Sequence, residues 1–475
     1  MKIWGSADIL NEKEMDLIEN GMFEIFSEVG FKVEHPKILN SLKEAGAIVK
    51  NDRVLFSRKW LTNFLIGSKR IDIDYSRNFD CWAGGFPQFY LPPGNKTPVF
   101  HTLDSCEIMV KIADYLENID VINSCMGIPS DIDGKIMELY QRLLIWKYFK
   151  KPKHFIQKYK PFHNGVSLVS SIEMCPLIFE MAELIKTEEG GEIQDYCFAD
   201  LYLISPLFFD KLQGDIFWYL YERGCHSDVS TVLTLGGSAP VTLSAALPLQ
   251  LAEIIFCNIL QRIFFNINTI HMANILAPLD MKTGLFQYGR PELSIGILAI
   301  GQLARRYGAL FSCGSYYCDA KLPSSEAGMQ KALSAVSCIF AGATGIGVAG
   351  LLSVDEVSSP EQLIIDSEFA GALKKFARST EIIVKEEDLE MIKRVGPGGN
   401  YFAEMHTVKH FRELWEPNFF SSTTLSNWLQ NGCRTDADYA REIYKNVLKD
   451  NDRIYIKDST EKSLINIIKK AESKL

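Results

Sequence analysis

The sequence predicts an α/β protein: a (βα)8 TIM barrel with an N-terminal helical extension and a C-terminal helical segment. Three observations predict it. Short apolar runs alternate with amphipathic stretches of helix length from about residue 85 to 380. Eight such units are countable, which favours closure into a barrel over an open sheet. No glycine-rich turn follows the first strand-like run, as a doubly wound nucleotide-binding sheet would require. Gly342, Gly345, Gly347 and Gly350 come late in the chain and are read as residues that let a barrel strand pack closely.

The division predicted is residues 1–84 for the extension, 85–380 for the barrel and 381–475 for the C-terminal segment. In the extension, Asn11 and Glu14 have the spacing of a reciprocal N-terminal cap. Met15, Ile18, Met22 and Ile25 then share a helical face, and Gly30 can end that helix. A second short helix starts near Pro36 and stops at Gly46. Asn51-Asp52 lies between two apolar stretches as a hairpin turn does, and Ser57 caps a third helix.

Strands are expected near 86–91, 120–126, 153–158, 196–204, 229–236, 268–276, 309–315 and 345–351. The intervening helices are expected near 103–117, 133–149, 171–187, 210–223, 243–264, 293–307, 324–341 and 360–380. After the barrel, Gly396-Pro-Gly-Gly399 breaks the chain, and two further helices are expected near 435–449 and 459–473.

Composition narrows the function. A net charge of -9 and a pI near 5.6 argue against nucleic acid as the main partner. The lysines at 147, 150, 151 and 153 read as a solvated helix end. Eleven scattered cysteines, many inside apolar runs, suit a reducing compartment. Met1-Lys-Ile-Trp-Gly lacks a signal-peptide pattern, so a cytoplasmic location is expected. The apolar run from Leu243 to Phe265 is interrupted by Gln250, Glu253, Asn258, Gln261 and Arg262, so it is read as a buried helix and not a membrane span.

In a barrel of this type the site lies at the C-terminal ends of the strands. Residues there with usable chemistry are Gln157 after the third strand, His271 on the sixth, Phe286, Tyr288 and Arg290 in its loop, and Tyr316, Tyr317 and Asp319 after the seventh. Phe89 lies at the end of the first expected strand. His406-Thr-Val-Lys-His410 puts two imidazoles four residues apart, on one face of a helix. A zinc hydrolase would want Glu where Thr407 stands, so no metal site is assigned. Cys313, Cys318 and Cys338 match no compact zinc spacing and are read as buried thiols. Gly236-Gly-Ser-Ala-Pro240 is read as a tight βα turn.

Five segments in order resemble the trimethylamine methyltransferase family. They are Pro240-Val-Thr-Leu-Ser-Ala-Ala246 with Ala252-Glu253, Asp280-Met-Lys-Thr-Gly284, Gly289-Arg-Pro-Glu292, Asp319-Ala-Lys321 with Ala327-Gly328, and Gly396-Pro-Gly-Gly399 with His406-Thr-Val-Lys-His410. The resemblance spans roughly the whole chain. It implies a barrel that holds a methylated amine and presents its methyl group to cobalt(I) of a separate corrinoid protein. Two departures bear on amine specificity: Asn400 stands where the family often has His, and Ser324-Ser-Glu-Ala327 where it tends to have Asp and Gln. The sequence contains no pyrrolysine, so the resemblance is to the non-pyrrolysine branch, whose substrates are quaternary amines such as glycine betaine.

For that chemistry Tyr316, Tyr317, Phe286, Tyr288 and Phe89 are the expected aromatic cage around a quaternary ammonium, since ring faces attract such cations. Gln157, His271, Arg290 and Asn400 complete the expected binding set, with Arg290 or a histidine meeting any substrate carboxylate. His406, His410 and Asp319 are the expected catalytic set. The chain lacks an Asp-x-His-x-x-Gly run, so no corrinoid of its own is expected. A homo-oligomer is compatible with the sequence. Two rival readings stand beside this one: a metal-dependent lyase or hydrolase using His406, His410 and a carboxylate, and a non-catalytic amine-binding member of the family.

Overall fold

The computed structural model describes residues 3–73, 79–150, 169, 171–314, 316–378, 382–450 and 453–473. It is a mixed α/β protein in which helices alternate with parallel strands. Five strands form one parallel sheet in the order His271–Asn274, Leu310–Gly314, Gly345–Ala349, Asp80–Ala83, Val121–Ile122. Phe198–Tyr202 and His226–Ser230 pair with each other in parallel. The last strand of the alternating series therefore lies beside the first, with Gly345 in register with Asp80 and Gly347 with Trp82.

The expected strand positions need two corrections. The chain enters the parallel sheet at Asp80–Ala83, not at 86–91. Phe89–Tyr90 belongs instead to a second sheet, between Val99–Phe100 and Val357–Ser358. The aromatic run at 86–91 carries the stronger strand propensity, but Asp80–Ala83 has strand neighbours on both sides to satisfy its backbone. The expected strand at 229–236 splits into His226–Ser230 and Leu233–Leu235, and the second piece pairs with Leu276–Pro278. The strand expected at 153–158 lies outside the described residues.

The helices fall close to their expected positions. They run Leu103–Tyr115, Met137–Tyr148, Cys175–Glu189, Lys211–Tyr221, Leu243–Phe265, Pro291–Tyr307, Ser325–Ala341 and Pro360–Ala377. In the extension, the Glu14 amide donates to Asn11 Oδ1 at 3.0 Å and Glu14 Oε2 accepts the Asn11 amide at 2.8 Å. That reciprocal cap starts the helix Glu12–Glu24, which packs on Leu243–Phe265. The approach is close because a Cβ at Gly21 would lie 2.8 Å from the Pro248 ring. At the other end, Asp436–Asp450 packs on Pro360–Ala377 and Leu103–Tyr115, while Asp458–Glu472 packs on Cys175–Glu189 and Met137–Tyr148.

Leu243–Phe265 is long and apolar enough to cross a membrane, yet most of it is buried inside the protein. Two of the polar residues that interrupt its apolar run, Asn258 and Gln261, hold neighbouring segments. Asn258 Oδ1 accepts the His271 amide and its Nδ2 donates to the His271 carbonyl, both at 2.8 Å. Gln261 Nε2 donates to the Ser227 carbonyl at 2.7 Å. Buried polar groups require such partners, so these side chains fix the helix against two parallel strands.

Candidate active site

Side chains alternate along each parallel strand, so residues two apart share a face. On Phe198–Tyr202, Ala199 and Leu201 are buried, while Phe198, Asp200 and Tyr202 line a cavity of about 490 Å³. On His226–Ser230, Asp228 and Ser230 line it. Neighbouring strands add His271 and Ala273, Ser312 and Gly314, and Trp82, among others. Phe86, Asn123, Tyr288, Tyr317 and Asp355 come from the segments that follow strands.

Two glycines make room for one wall. A Cβ at Gly347 would lie 2.6 Å from the Trp82 indole, and one at Gly345 would lie 2.9 Å from it. Bare backbone there lets the indole lie across the adjacent strand. A stacked pair also lines the cavity: the Tyr288 and Tyr317 rings are 4.1 Å apart and inclined by 10°. Phe286 extends the stack, with its centroid 4.9 Å from that of Tyr288.

Burial pushes the phenols of Tyr202, Tyr288 and Tyr317 up, so all three stay neutral at ordinary pH. Asp200 and Asp228 add to this at Tyr202, and Asp355 at Tyr288 and Tyr317. Burial also raises the Asp355 carboxyl above the usual range, reinforced by Glu356. The cavity thus combines aromatic rings with carboxylates.

A buried carboxylate outside the cavity organises its rim. Glu253 accepts the Ser205 hydroxyl and the Leu207 amide, each at 2.7 Å, and the Thr231 hydroxyl. Thr231 itself lines the cavity. Burial raises the Glu253 carboxyl, while the three donors pull the other way.

The expected site residues separate into groups. Tyr288, Tyr317 and His271 line the cavity, and His271 Nε2 lies 2.7 Å from Ser312 Oγ. Phe286 and Asp319 stand behind it. The two carboxylate oxygens of Asp319 accept the amides of Tyr288 and Gly289. Tyr316 is fully buried elsewhere, its carbonyl accepting from the Lys331 ammonium. Phe89 stacks on Phe100 in the second sheet. Arg290 is half exposed and lies 3.5 Å from Asp280. Asn400 is exposed and accepts the Phe402 amide. Gln157 lies outside the described residues.

His406 and His410 lie on the exposed helix Met405–His410, with rings 4.5 Å apart. Nδ1 of His410 contacts Glu413 at 2.7 Å, and Nε2 of His406 lies 4.0 Å from Asp388. Among the described residues no cluster of three or more His, Cys, Asp or Glu is arranged to hold a metal. Cys313 and Cys338 are buried neighbours, and burial pushes the Cys318 thiol up to about 11.

Sequence reasoning missed Trp82, Asp200, Tyr202, Asp228 and Asp355. A signal was present: Phe198-Ala-Asp-Leu-Tyr202 and His226-Ser-Asp-Val-Ser230 each place a carboxylate at the centre of a short strand between buried residues. A charge is costly there unless that face opens on a cavity or a ligand.

An α/β scaffold with an aromatic, acidic cavity lined from its parallel strands has the architecture of an enzyme. A family model described as trimethylamine methyltransferase (MTTB) matches residues 2–80 and 94–475. The chain belongs to the trimethylamine methyltransferase family. It is 24% identical to glycine betaine methyltransferase of Desulfitobacterium hafniense (strain Y51), over 90% of each chain. It is 28% identical to trimethylamine methyltransferase MttB of Methanosarcina thermophila, over 94% of this chain and 93% of that one. A crystal structure of the hydroxylamine complex of MtmB aligns with a TM-score of 0.49 at 11% identity, covering 92% of this chain and 88% of that chain.

Proposed function

We propose that this protein moves a methyl group from a quaternary or tertiary methylated amine to cobalt(I) of a separate corrinoid protein, and that the aromatic, acidic cavity holds the amine. The observation that carries this reading is the stacked Tyr288–Tyr317 pair beside Asp355 on the cavity wall. Ring faces and carboxylates both attract an ammonium, and each ring contributes roughly 0.5–2 kcal/mol when desolvated.

The reaction asks little covalent chemistry of the chain. The carbon–nitrogen bond breaks and its electron pair leaves with nitrogen, which from a quaternary ammonium gives a neutral tertiary amine. The methyl is taken up by the two electrons of cobalt(I) on the partner protein. The residues named here bind the cation, orient one methyl outward and exclude water; alignment of that kind lowers a barrier by several kcal/mol, up to about 7–11 in favourable cases. With a quaternary ammonium no protein group has to donate or accept a proton.

The same reading takes the scaffold as a closed (βα)8 barrel in the cytoplasm, with the helical extension before it and the segment from about 381 packed outside. Parallel pairing of Gly345–Ala349 with Asp80–Ala83 supports closure, and in this reading the barrel starts at Asp80.

The test is to mix the purified protein with a cobalt(I) corrinoid protein and a panel of methylated amines, reading the absorbance of the methylated corrinoid. Methylation by at least one amine, weakened by Tyr317→Leu, is the expected result. No methylation from any amine on a panel spanning tertiary, quaternary and betaine substrates overturns the reading.

A further inference from the structure

Tyr316, the residue before the cavity ring Tyr317, has both of its backbone groups tied. Its amide donates to the Gly347 carbonyl at 3.0 Å, and its carbonyl accepts from the Lys331 ammonium. Lys331 comes from the helix Ser325–Ala341, and its ammonium also lies 2.9 Å from Asp366 Oδ2 on the helix Pro360–Ala377. Both side chains are only 2% exposed. The same Asp366 oxygen accepts the Gly350 amide at 2.8 Å, and Oδ1 accepts Gln362 Nε2 at 2.8 Å. One buried pair therefore joins the segments that leave two neighbouring parallel strands, Leu310–Gly314 and Gly345–Ala349. Tyr317 beyond the first strand and Val348 on the second line the cavity, whereas Lys331, Asp366 and Tyr316 lie behind it.

Stability alone is a weak reason for an ion pair this deeply buried. Desolvating two charges costs about as much as their attraction returns, and apolar side chains of similar volume often serve a fold equally well. What an apolar pair lacks is a donor for the Tyr316 carbonyl. A buried carbonyl without a donor is costly, so the peptide between Tyr316 and Tyr317 would turn toward another one. That rotation carries the Tyr317 ring with it. The ring has little room: a Cβ on Gly314 would lie 2.8 Å from it, and it stacks on Tyr288 at 4.1 Å.

We propose that Lys331 is a positioning residue for the amine site: its ammonium, oriented by Asp366, fixes the Tyr316 carbonyl and thereby sets the Tyr317 ring against the substrate. This rests on the cavity being the amine site. Lys331 touches no substrate and moves no proton; it acts on amine affinity through Tyr317.

The test is a crystal structure and a double-mutant cycle on the full chain. Lys331→Met with Asp366→Asn removes the donor without stranding a buried charge, and the new amide oxygen still accepts from Gly350. In the crystal structure of this variant the Tyr316 carbonyl is turned from its wild-type direction and the Tyr288–Tyr317 stack is displaced. Calorimetric titration with tetramethylammonium shows a loss of affinity of about 2- to 30-fold, no larger than that of Tyr317→Leu. In a chain already carrying Tyr317→Leu, the same two substitutions cost less than about twofold more, because the ring they act through is gone. A stack unchanged in the variant crystal overturns the proposal. So does an equal loss of affinity with and without the Tyr317 ring, which is the mark of a merely structural role. Where the double variant does not fold, Asp366→Asn alone decides. It leaves the ammonium in place but less firmly oriented, and weakens tetramethylammonium about 2- to 3-fold only while Tyr317 is present; no change there overturns the proposal. The amine-site reading fails separately. A displaced stack with tetramethylammonium affinity unaltered by Tyr317→Leu upholds Lys331 as the residue that sets the ring and removes the cavity as the amine site.

Discussion

Asp319 holds Tyr288 by its backbone. One carboxylate oxygen accepts the Tyr288 amide at 2.8 Å and the other accepts the next amide, Gly289, at 2.9 Å. The stacked ring on the cavity wall is thus fixed by a residue that does not itself line the cavity. Hydrogen bonds to a charged acceptor contribute about 1.5–3 kcal/mol each. Asp319→Ala is expected to raise KM for the amine roughly 3- to 30-fold with a smaller change in kcat, because the wall loosens while the reacting atoms are untouched. Asp319→Asn, which keeps one acceptor, should fall between. A variant that lowers kcat and leaves KM unchanged would assign Asp319 a part in the chemical step instead.

Adjacent tyrosines should behave oppositely. Tyr317→Leu removes a cavity ring and is expected to weaken cation binding by about 0.5–2 kcal/mol, roughly 2- to 30-fold, while Tyr317→Phe keeps the ring and most of the affinity. Tyr316 is fully buried, and its hydroxyl has no hydrogen-bond partner among the described residues. Tyr316→Phe should therefore leave affinity unchanged and stability within about 0.5 kcal/mol, or raise it slightly. Titration calorimetry and urea unfolding check both; a large loss of affinity in Tyr316→Phe would relocate the cage.

Cation binding should strengthen as pH rises through the raised value of Asp355. Burial, then Glu356, lifts this carboxyl, and its own backbone amide opposes them. Tyr202, Tyr288 and Tyr317 face the same space and stay neutral, and Asp200, Asp228 and His271 line it as well. A carboxyl with a raised folded value binds protons more readily when folded, so ionising it costs stability as pH climbs above its unfolded value. A bound cation offsets that cost and releases a proton. The dissociation constant measured from mildly acidic to neutral pH should fall with rising pH, and the slope should shrink in Asp355→Asn. A flat profile in the wild type would detach Asp355 from the cation.

Glu253 is expected to be a stability determinant. Glu253→Ala strands the Ser205 and Thr231 hydroxyls and the Leu207 amide, and should cost about 2–4 kcal/mol in urea unfolding. Glu253→Gln keeps part of this network and should cost less. Equal stability of Glu253→Ala and the wild type would contradict the role given to this carboxylate.

His406 and His410 sit on an exposed helix away from the lining residues. His406→Ala and His410→Ala should each change stability by less than about 0.5 kcal/mol and leave metal content and amine binding unaltered. Loss of amine binding in either would move the site toward that helix, and zinc lost together with activity would restore the metal-dependent reading.

Much of the scaffold was legible without coordinates. The cap at Asn11 and Glu14, the hairpin at Asn51-Asp52 and the helices from Leu103 to Ala377 are written in local chemistry: side-chain acceptors at helix starts, turn residues between apolar runs, and a 3.6-residue apolar period. These signals act over a few residues, so the chain itself carries them. The family segments from Pro240 to His410 were legible for the same reason.

The sequence by itself determined the alternation of helix and strand, the buried character of Leu243–Phe265 and the family to which the chain belongs. Only the tertiary structure decided that Asp80–Ala83, not Phe89–Tyr90, lies beside Gly345–Ala349, because pairing is fixed by which backbone groups find partners across 260 residues of chain. Only the structure set Asp200 against Asp228, brought Asp355 to Tyr317 and turned Tyr316 away from Tyr317. Which face of a strand meets a cavity depends on register and on neighbours far away in sequence, and one residue along the strand reverses it.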